Sequence, residues 1–290
     1  MQPLGIVGDG ADELLGRLVA SIDGRVATIE GSESAARDSD GIESKSTDGT
    51  GLESTDGTGL ESTATNPGAE AAYTLHADGS WSARGRGTSL SELLDELAPE
   101  YDFVLVAGVT GARIPTVVLG DGKPAVTDDH VVLTAESPDD VDLGALVERL
   151  DDFEPHVTLE ELVQRAKASP RAERAGAIAT FTGRVRAKDH PEDSRTEQLV
   201  FEKYDGVAER RLAEIEAELT ERDGVYEVLL FHRVGVIDDG EDIVFVVVLA
   251  GHREEAFRTV EDGINRLKAE VPIFKKETTT DEEFWIHERE

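Results

Sequence analysis

GHREEAFRTVEDGINRLKAEVPIFKKE, residues 251–277, is the stretch from which the fold of the second half of the chain is read. Ala256, Val260, Ile264 and Leu267 recur at helical spacing and give the run one apolar face. Pro272 cannot continue a helix, so the spacing predicts a break near Val271 and an extended segment, IFKKE, beyond it. Lys268 then falls on the last helical turn and Lys275 just past the break. The chain carries a formal charge of −33, with 62 acidic residues against 29 basic ones. Lysine is scarce: there are eight in 290 residues, and Lys268, Lys275 and Lys276 lie within nine positions of one another. A cation on the last turn complements a helix C-terminus by a few tenths to about 1 kcal/mol. That accounts for Lys268, but not for Lys275 or for the His252-Arg253 pair at the other end of the run. Two ammonium groups arriving from different elements can converge on one anion, and an anion site is the expected reading.

Outward from this stretch, Tyr226–Ile237 (YEVLLFHRVGVI) and Asp242–Ala250 (DIVFVVVLA) carry the strongest strand signals, joined as a hairpin by the acidic Asp238-Asp239-Gly240 turn. GAIATFTGRVRAKD, from Gly176, reads as a strand ending in a basic loop that contains Arg186. Glu197–Tyr204 alternates as a strand, Val207–Leu219 has helical spacing, and Thr158 opens a short helix, TLEELVQRAK. Strands and helices interleaved with hairpins predict an α+β domain over residues 151–290, entered through the polar, proline-containing segment Asp151–His156.

Residues 1–150 are expected to form a separate α/β domain. LGIV at 4–7 reads as a buried strand, and GDGADELLGRLVASI as a glycine turn opening a helix, with a further strand at Arg25–Glu30. That is the order of a phosphate-binding loop, whose working form is GxxxxGK[ST]. The lysine and hydroxyl are missing, and Asp9, Asp12 and Glu13 stand where a triphosphate would lie, so the loop is degenerate and an ordinary strand–helix turn is the simpler reading. Residues 31–70 contain a short repeat (IESKSTDGTG, LESTDGTG, LESTATNPG) too poor in apolar residues to build a core. A flexible acidic insertion is expected there. Beyond it, alternation predicts a hairpin around Ala77-Asp78-Gly79. Ser89 and Glu92 form a capping box for SLSELLDELAPE, and DFVLVAG at 102–108 is a buried parallel strand. Pro115–Leu119 and Val131–Thr134 add strands, and Val141–Leu150 a closing helix.

Composition limits the functions available. The acid surplus and a pI near 4.4 suit solubility in very high salt, where the Debye length falls to about 3 Å at 1 M, and argue against binding nucleic acid or an anionic membrane. No cysteine means no disulfide, thiolate metal site or catalytic thiol. No run approaches the ~18 apolar residues of a membrane span, and the acidic start lacks a basic export signal, so a cytoplasmic location is expected.

FTGRVR at 181–186, FEKY at 201–204, HRVG at 232–235, GHREEAF at 251–257, LK at 267–268 and PIFKKE at 272–277 resemble, in order and spacing, the large catalytic subunit of molybdopterin synthase, the MoaE family. The resemblance implies an α/β hammerhead fold with extra strands. It also implies a homodimer flanked by two small ubiquitin-like subunits in a heterotetramer. The C-terminal Gly-Gly thiocarboxylates of those partners donate sulfur to cyclic pyranopterin monophosphate, forming the dithiolene of molybdopterin. By the same resemblance Lys268 is the catalytic lysine and Lys275 the second active-site lysine. Arg186, His252 and Arg253 anchor substrate, Phe181 lines the pocket, and Arg289 reaches the neighbouring protomer's site. No metal or other cofactor is implied. GIVGDGADELLGRL and YDFVLVAGVTGARIP resemble the P-loop adapter of molybdopterin-guanine dinucleotide synthesis, the MobB family, without its phosphate-loop lysine.

The chemistry is consistent with these implied roles. A cyclic phosphate and an anionic thiocarboxylate both call for concentrated cations, with arginine forking onto phosphate oxygens and lysine supplying a point charge or a proton. Crowding with Arg253 and Lys275 would ease loss of a proton from Lys268, as like charges do. On the residues alone, Phe181 reads equally as core, His252 as a helix cap, and His232-Arg233 as structural. Two other readings stand beside sulfur transfer: a non-catalytic docking target for a ubiquitin-like protein, and a bifunctional chain whose first domain also binds GTP.

Overall fold

The computed structural model describes residues 1–31, 71–79, 81–85, 87–120, 130–188, 190–204, 206–279 and 283–286. Thus 32–70, nearly all of the repeat segment, and Arg289 lie outside the described residues. The chain divides into two compact units. One comprises Pro3–Leu97 and Phe103–Leu150, the other Met1–Gln2, Ala98–Asp102 and Asp151–Glu290.

The first unit runs β1 (Gln2–Gly8), α1 (Ala11–Val19), β2 (Val26–Glu30), β3 (Ala71–Leu75), β4 (Trp81–Gly85), α2 (Leu90–Leu97), β5 (Phe103–Ala107), β6 (Thr116–Leu119), β7 (Val131–Ala135) and α3 (Leu143–Glu148). Five strands form one sheet in the order β2-β5-β1-β6-β7, with β2–β5, β1–β6 and β6–β7 parallel. Leu4, Ile6, Val104, Leu105, Val106 and Val117 are fully buried. Continuous apolar runs are what strands covered on both faces require. The capping box of α2 is present: the Glu92 carboxylate accepts from the Ser89 backbone N–H at 2.8 Å, and the Glu92 N–H donates to the Ser89 hydroxyl at 3.2 Å. Among the described residues the hairpin β3–β4 pairs only with itself.

The second unit contains α4 (Leu159–Lys167), β8 (Ala177–Arg184), β9 (Thr196–Lys203), α5 (Val207–Thr220), β10 (Val225–His232), β11 (Gly235–Asp238), β12 (Asp242–Ala250), α6 (Arg253–Glu270), β13 (Ile273–Thr279) and β14 (Glu283–Ile286). Its strands form two antiparallel sheets, β10-β12-β8 and β11-β9-β13-β14. In β12, Val246, Val247 and Val248 are all fully buried, because opposite faces of that sheet belong to different clusters. Val246 and Val248 pack with Ile215, Leu219, Val260 and Leu267 of α5 and α6, while Val247 and Phe245 pack with Leu162 and Ala166 of α4. The predicted apolar face of α6 is the buried one: Ala256, Val260, Ile264 and Leu267 are each no more than 9% exposed. Gly263, costly inside a helix, allows this close approach, since a Cβ there would meet Val246 Cγ1 at 3.1 Å. Among the described residues no helix is long and apolar enough to cross a membrane.

The single strand expected over Tyr226–Ile237 is two. β10 ends at His232 and pairs with β12, whereas β11 joins the other sheet through β9. Gly235, at φ 84°, takes a left-handed conformation open to glycine at little cost, and there the chain leaves one sheet for the next.

The ends of α5 and α6 are tied by charge. Arg266 Nε donates to Glu270 at 2.9 Å and its Nη2 to Glu218 at 2.6 Å, while Arg211 donates to both Glu214 and Glu270. Hydrogen bonds from Arg266 and then Arg211 pull the Glu270 carboxyl down to about 2 from 4.5. A depressed carboxyl stabilises the fold above its unfolded pKa and loses that contribution as pH falls through the folded value. Glu270→Gln is therefore expected to lower the melting temperature by a few degrees at most above pH 4.5. The wild-type advantage shrinks between 4.5 and about 2. Paired melts across that range test it. A difference that does not change with pH sinks the argument.

Candidate functional site

α6 stops where its sequence requires. Val271, the residue before Pro272, is extended (φ −88°, ψ 124°), so Lys268 sits exposed on the last turn and Lys275 enters β13. Lys275 is the register partner of Phe201 on β9, and Phe201 is in turn the partner of Gly235 on β11. Phe201 meets the His232 ring edge to face, with centroids 4.8 Å apart. His232 closes β10 opposite Val244, whose other neighbour is Gly183 near the end of β8. Arg186 follows from that end and is exposed. Lys268, Lys275, His232 and the start of the Arg186 loop thus gather at one end of the unit. Phe181 is partly buried and packs against the cluster beneath α5 and α6.

The charges at this end are sorted. Lys203 on β9 bonds to Glu154 at 3.0 Å and Glu209 at 2.9 Å. Burial opposes its charge, but hydrogen bonds to those two carboxylates outweigh burial and raise its pKa. Lys268 has no carboxylate partner among the described residues, whereas its helix neighbours Arg266 and Glu270 are paired to each other. His232 is pushed down to about 4, first by burial and then by the positive charges of Lys203 and Lys268, against the pull of the Arg233 carbonyl. Neither Lys203 nor His232 was singled out from the sequence as part of a site. FEKY and HRVG mark their positions, but only the fold brings them to Lys268.

His252 and Arg253 stand elsewhere. His252 is the N-cap of α6 and its side chain makes no capping bond, which removes that structural account of it. Both residues are exposed and unpaired with carboxylates among the described residues. From Arg253 to Lys268 the helix rises about 22 Å. Arg253 therefore does not crowd Lys268 within one protomer, contrary to the sequence-based expectation.

In the first unit only Asp9 and Gly10 separate β1 from α1. Gly10 caps α1 in a left-handed conformation, φ 87°, and a Cβ on it would lie 2.6 Å from Pro138 Cγ. Arg17 holds that neighbouring turn by donating to the Pro138 carbonyl at 2.7 Å. Space beside the loop is occupied by protein.

The MoaE protein family model matches residues 153–270. A Haloferax volcanii protein named probable molybdopterin synthase is 54% identical over 289 residues, covering 100% of both chains. The molybdopterin synthase catalytic subunit of Pyrococcus abyssi is 34% identical over 142 residues, 49% of this chain and 89% of its own. A solved structure of molybdopterin synthase from Staphylococcus aureus is 33% identical, covers 47% of this chain and 93% of its own, and has a TM-score of 0.41. With a full-length relative at that identity and the family model seated on the unit that carries the lysines, the chain belongs to the MoaE family of molybdopterin synthase catalytic subunits.

Proposed function

We propose that this chain transfers sulfur from the C-terminal thiocarboxylate of a small ubiquitin-like protein to cyclic pyranopterin monophosphate, forming the dithiolene of molybdopterin. The observation that carries the reading is Lys268, a lysine without a carboxylate partner among the described residues in a chain of charge −33, at the end of α6 that leads into the Lys275 strand. In an acidic protein an ammonium left unneutralised is available to an anion. In this reading Lys268 handles the proton or the acyl carbon as sulfur adds, Lys275 and Arg186 hold the anionic groups, and Phe181 supports the pocket wall. His252 and Arg253 belong to the same reaction through a second protomer. One phosphate cannot be held by two groups about 22 Å apart along one helix, so a homodimer supplies His252 and Arg253 from the neighbouring copy. Arg289 is assigned to the same cross-protomer set. A cytoplasmic location is part of the proposal. Reconstitution tests the whole: this chain, a thiocarboxylated partner and the cyclic pterin are mixed in molar salt and assayed for dithiolene. Tight partner binding with no dithiolene formed would leave only the docking function.

The first unit is proposed to be a degenerate relative of the MobB-type adapter that does not use GTP. Support comes from the two-residue β1–α1 connection, its missing lysine, and Pro138 packed beside Gly10. Titration calorimetry with Mg-GTP in molar salt is expected to give no heat of binding. A micromolar dissociation constant would restore the bifunctional reading.

A further inference from the structure

Strand β8 has one strand neighbour among the described residues, β12, so its other edge is open. The far edge of the same sheet is covered. There Leu230 of β10 donates its backbone N–H to the Glu216 carboxylate of α5 at 2.7 Å, which takes up a group that a further strand would need. Residues 176–183, GAIATFTG, carry neither a charge nor a proline to guard the open edge, in a chain that is 31% charged. Ala179 and Phe181 pack under α5 and α6, so Ile178, Thr180 and Thr182 lie on the opposite face. The cluster that α4 makes on that face takes its strand residues from β10 and β12, and Ile178 is 38% exposed.

The helix above this edge is two-sided. One flank of α6 holds Asp262, Arg266 and Glu270, ion-paired to Arg222, Glu218 and Arg211 in and just after α5. The opposite flank holds Arg253, Phe257, Glu261 and Lys268, which spacings of four and seven keep in one row. Because α5 lies on β10 and α6 on β12 and β8, that second row overhangs the open edge. Phe257 is 67% exposed in it.

Strand and helix also run the same way. β8 is antiparallel to β12, and α6 turns back from the end of β12 at Gly251 and His252. Arg253 therefore lies towards Ala177, and Lys268 towards Arg184. β8 rises about 23 Å over its length, which matches the roughly 22 Å from Arg253 to Lys268. A second copy paired antiparallel to β8 reverses both elements at once and brings its Arg253 to Lys268 of the first. Gly263 sits over Val246, the register partner of Phe181. The midpoint between Arg253 and Lys268 falls about 4 Å of helix before Gly263, roughly one strand residue, which sets the axis near Thr180.

We infer that the chain dimerises by antiparallel pairing of β8 with β8 of a second copy, about a two-fold axis near Thr180, with the two α6 helices side by side on one face of the joined sheet. This inference rests on the reading that Arg253 of one copy serves Lys268 of the other. The join satisfies the open edge and covers Ile178 and Phe257. It leaves cations of two copies converging at each end, where an anion is required between them. Glu261 comes near its own copy at the axis, a repulsion that molar salt screens to about 3 Å.

A chain without cysteine makes the test direct. Full-length Thr180→Cys, altered at an exposed position away from α6, is oxidised gently in molar salt. Directly opposed residues of antiparallel strands have Cα atoms about 4.5–5.5 Å apart, within reach of a disulfide. A covalent dimer is expected, formed at least about tenfold faster than from Val236→Cys on β11, the outer strand of the other sheet. Ile178→Cys and Thr182→Cys are expected to crosslink to one another when mixed, faster than either to itself. The inference is overturned if wild type sediments as a monomer in molar salt, or if Val236→Cys crosslinks first. It is equally overturned if Arg253→Ala and Lys268→Ala restore activity to each other while none of the β8 variants crosslinks, which keeps the shared site and moves the interface. A covalent Thr180→Cys dimer that makes no dithiolene, oxidised or reduced, upholds the interface and removes the sulfur-transfer reading instead.

Discussion

Lys268→Ala lowers the rate of dithiolene formation by at least about a hundredfold while partner affinity stays within about threefold. The side chain is exposed on the last turn of α6 and its aliphatic stem fills no core, so its removal leaves the fold intact. At most it forfeits the favourable cation at a helix C-terminus, a few tenths to about 1 kcal/mol. A loss confined to turnover would then report an interaction made in the transition state. Lys268→Arg is the sharper substitution. Guanidinium keeps the charge but does not release a proton near neutral pH. If Lys268 only balances the charge of the anions, arginine restores much of the rate. If the amine moves a proton or attacks an acyl carbon, arginine is nearly as inactive as alanine, and that is the expected result. Lys275→Ala is milder, since a group that only holds the substrate raises KM before it lowers kcat. Wild-type turnover by both Lys268 variants would remove the catalytic assignment and leave the docking reading in its place.

What could be read without coordinates was local. The α6 face, its stop before Pro272 and the Thr158 cap, whose hydroxyl accepts from the Glu161 N–H at 3.1 Å, each depend on residues within a turn or two. Periodicity and capping chemistry report such features directly. The division between β10 and β11 was not legible, because the apolar pattern runs on past Arg233 and only pairing with β9 shows which sheet each half joins. The sorting of charge was hidden for the same reason: Lys203 finds Glu154 and Glu209 from other elements, and His232 meets Phe201 across two sheets. The separation of Arg253 from Lys268, by contrast, was implicit in the length of the predicted helix. Expecting the two to crowd each other treated nearness in sequence as nearness in space.

That separation gives the other large effect. Arg253→Ala and Lys268→Ala, each nearly inactive alone at a cyclic pterin concentration well below the raised KM of the Arg253 variant, are expected to restore activity to one another when mixed, dissociated and reassociated. In a two-fold dimer whose sites join Lys268 of one copy to Arg253 of the other, a mixed dimer holds one site with both residues intact and one with neither. Random reassociation makes half the dimers mixed, so recovery to about a quarter of wild-type activity is expected. If both residues served one site within a protomer, every site in the mixture would lack one of them and nothing would recover. Arg253 is exposed at the start of α6 and makes no carboxylate pair among the described residues, so its removal costs the fold little. The loss in that variant is then a loss of anion binding, seen mainly as a raised KM for the cyclic pterin. Analytical ultracentrifugation of each variant in molar salt shows whether it remains dimeric. Recovery requires that it does, and an inactive mixture of intact dimers returns His252 and Arg253 to a role outside the reaction.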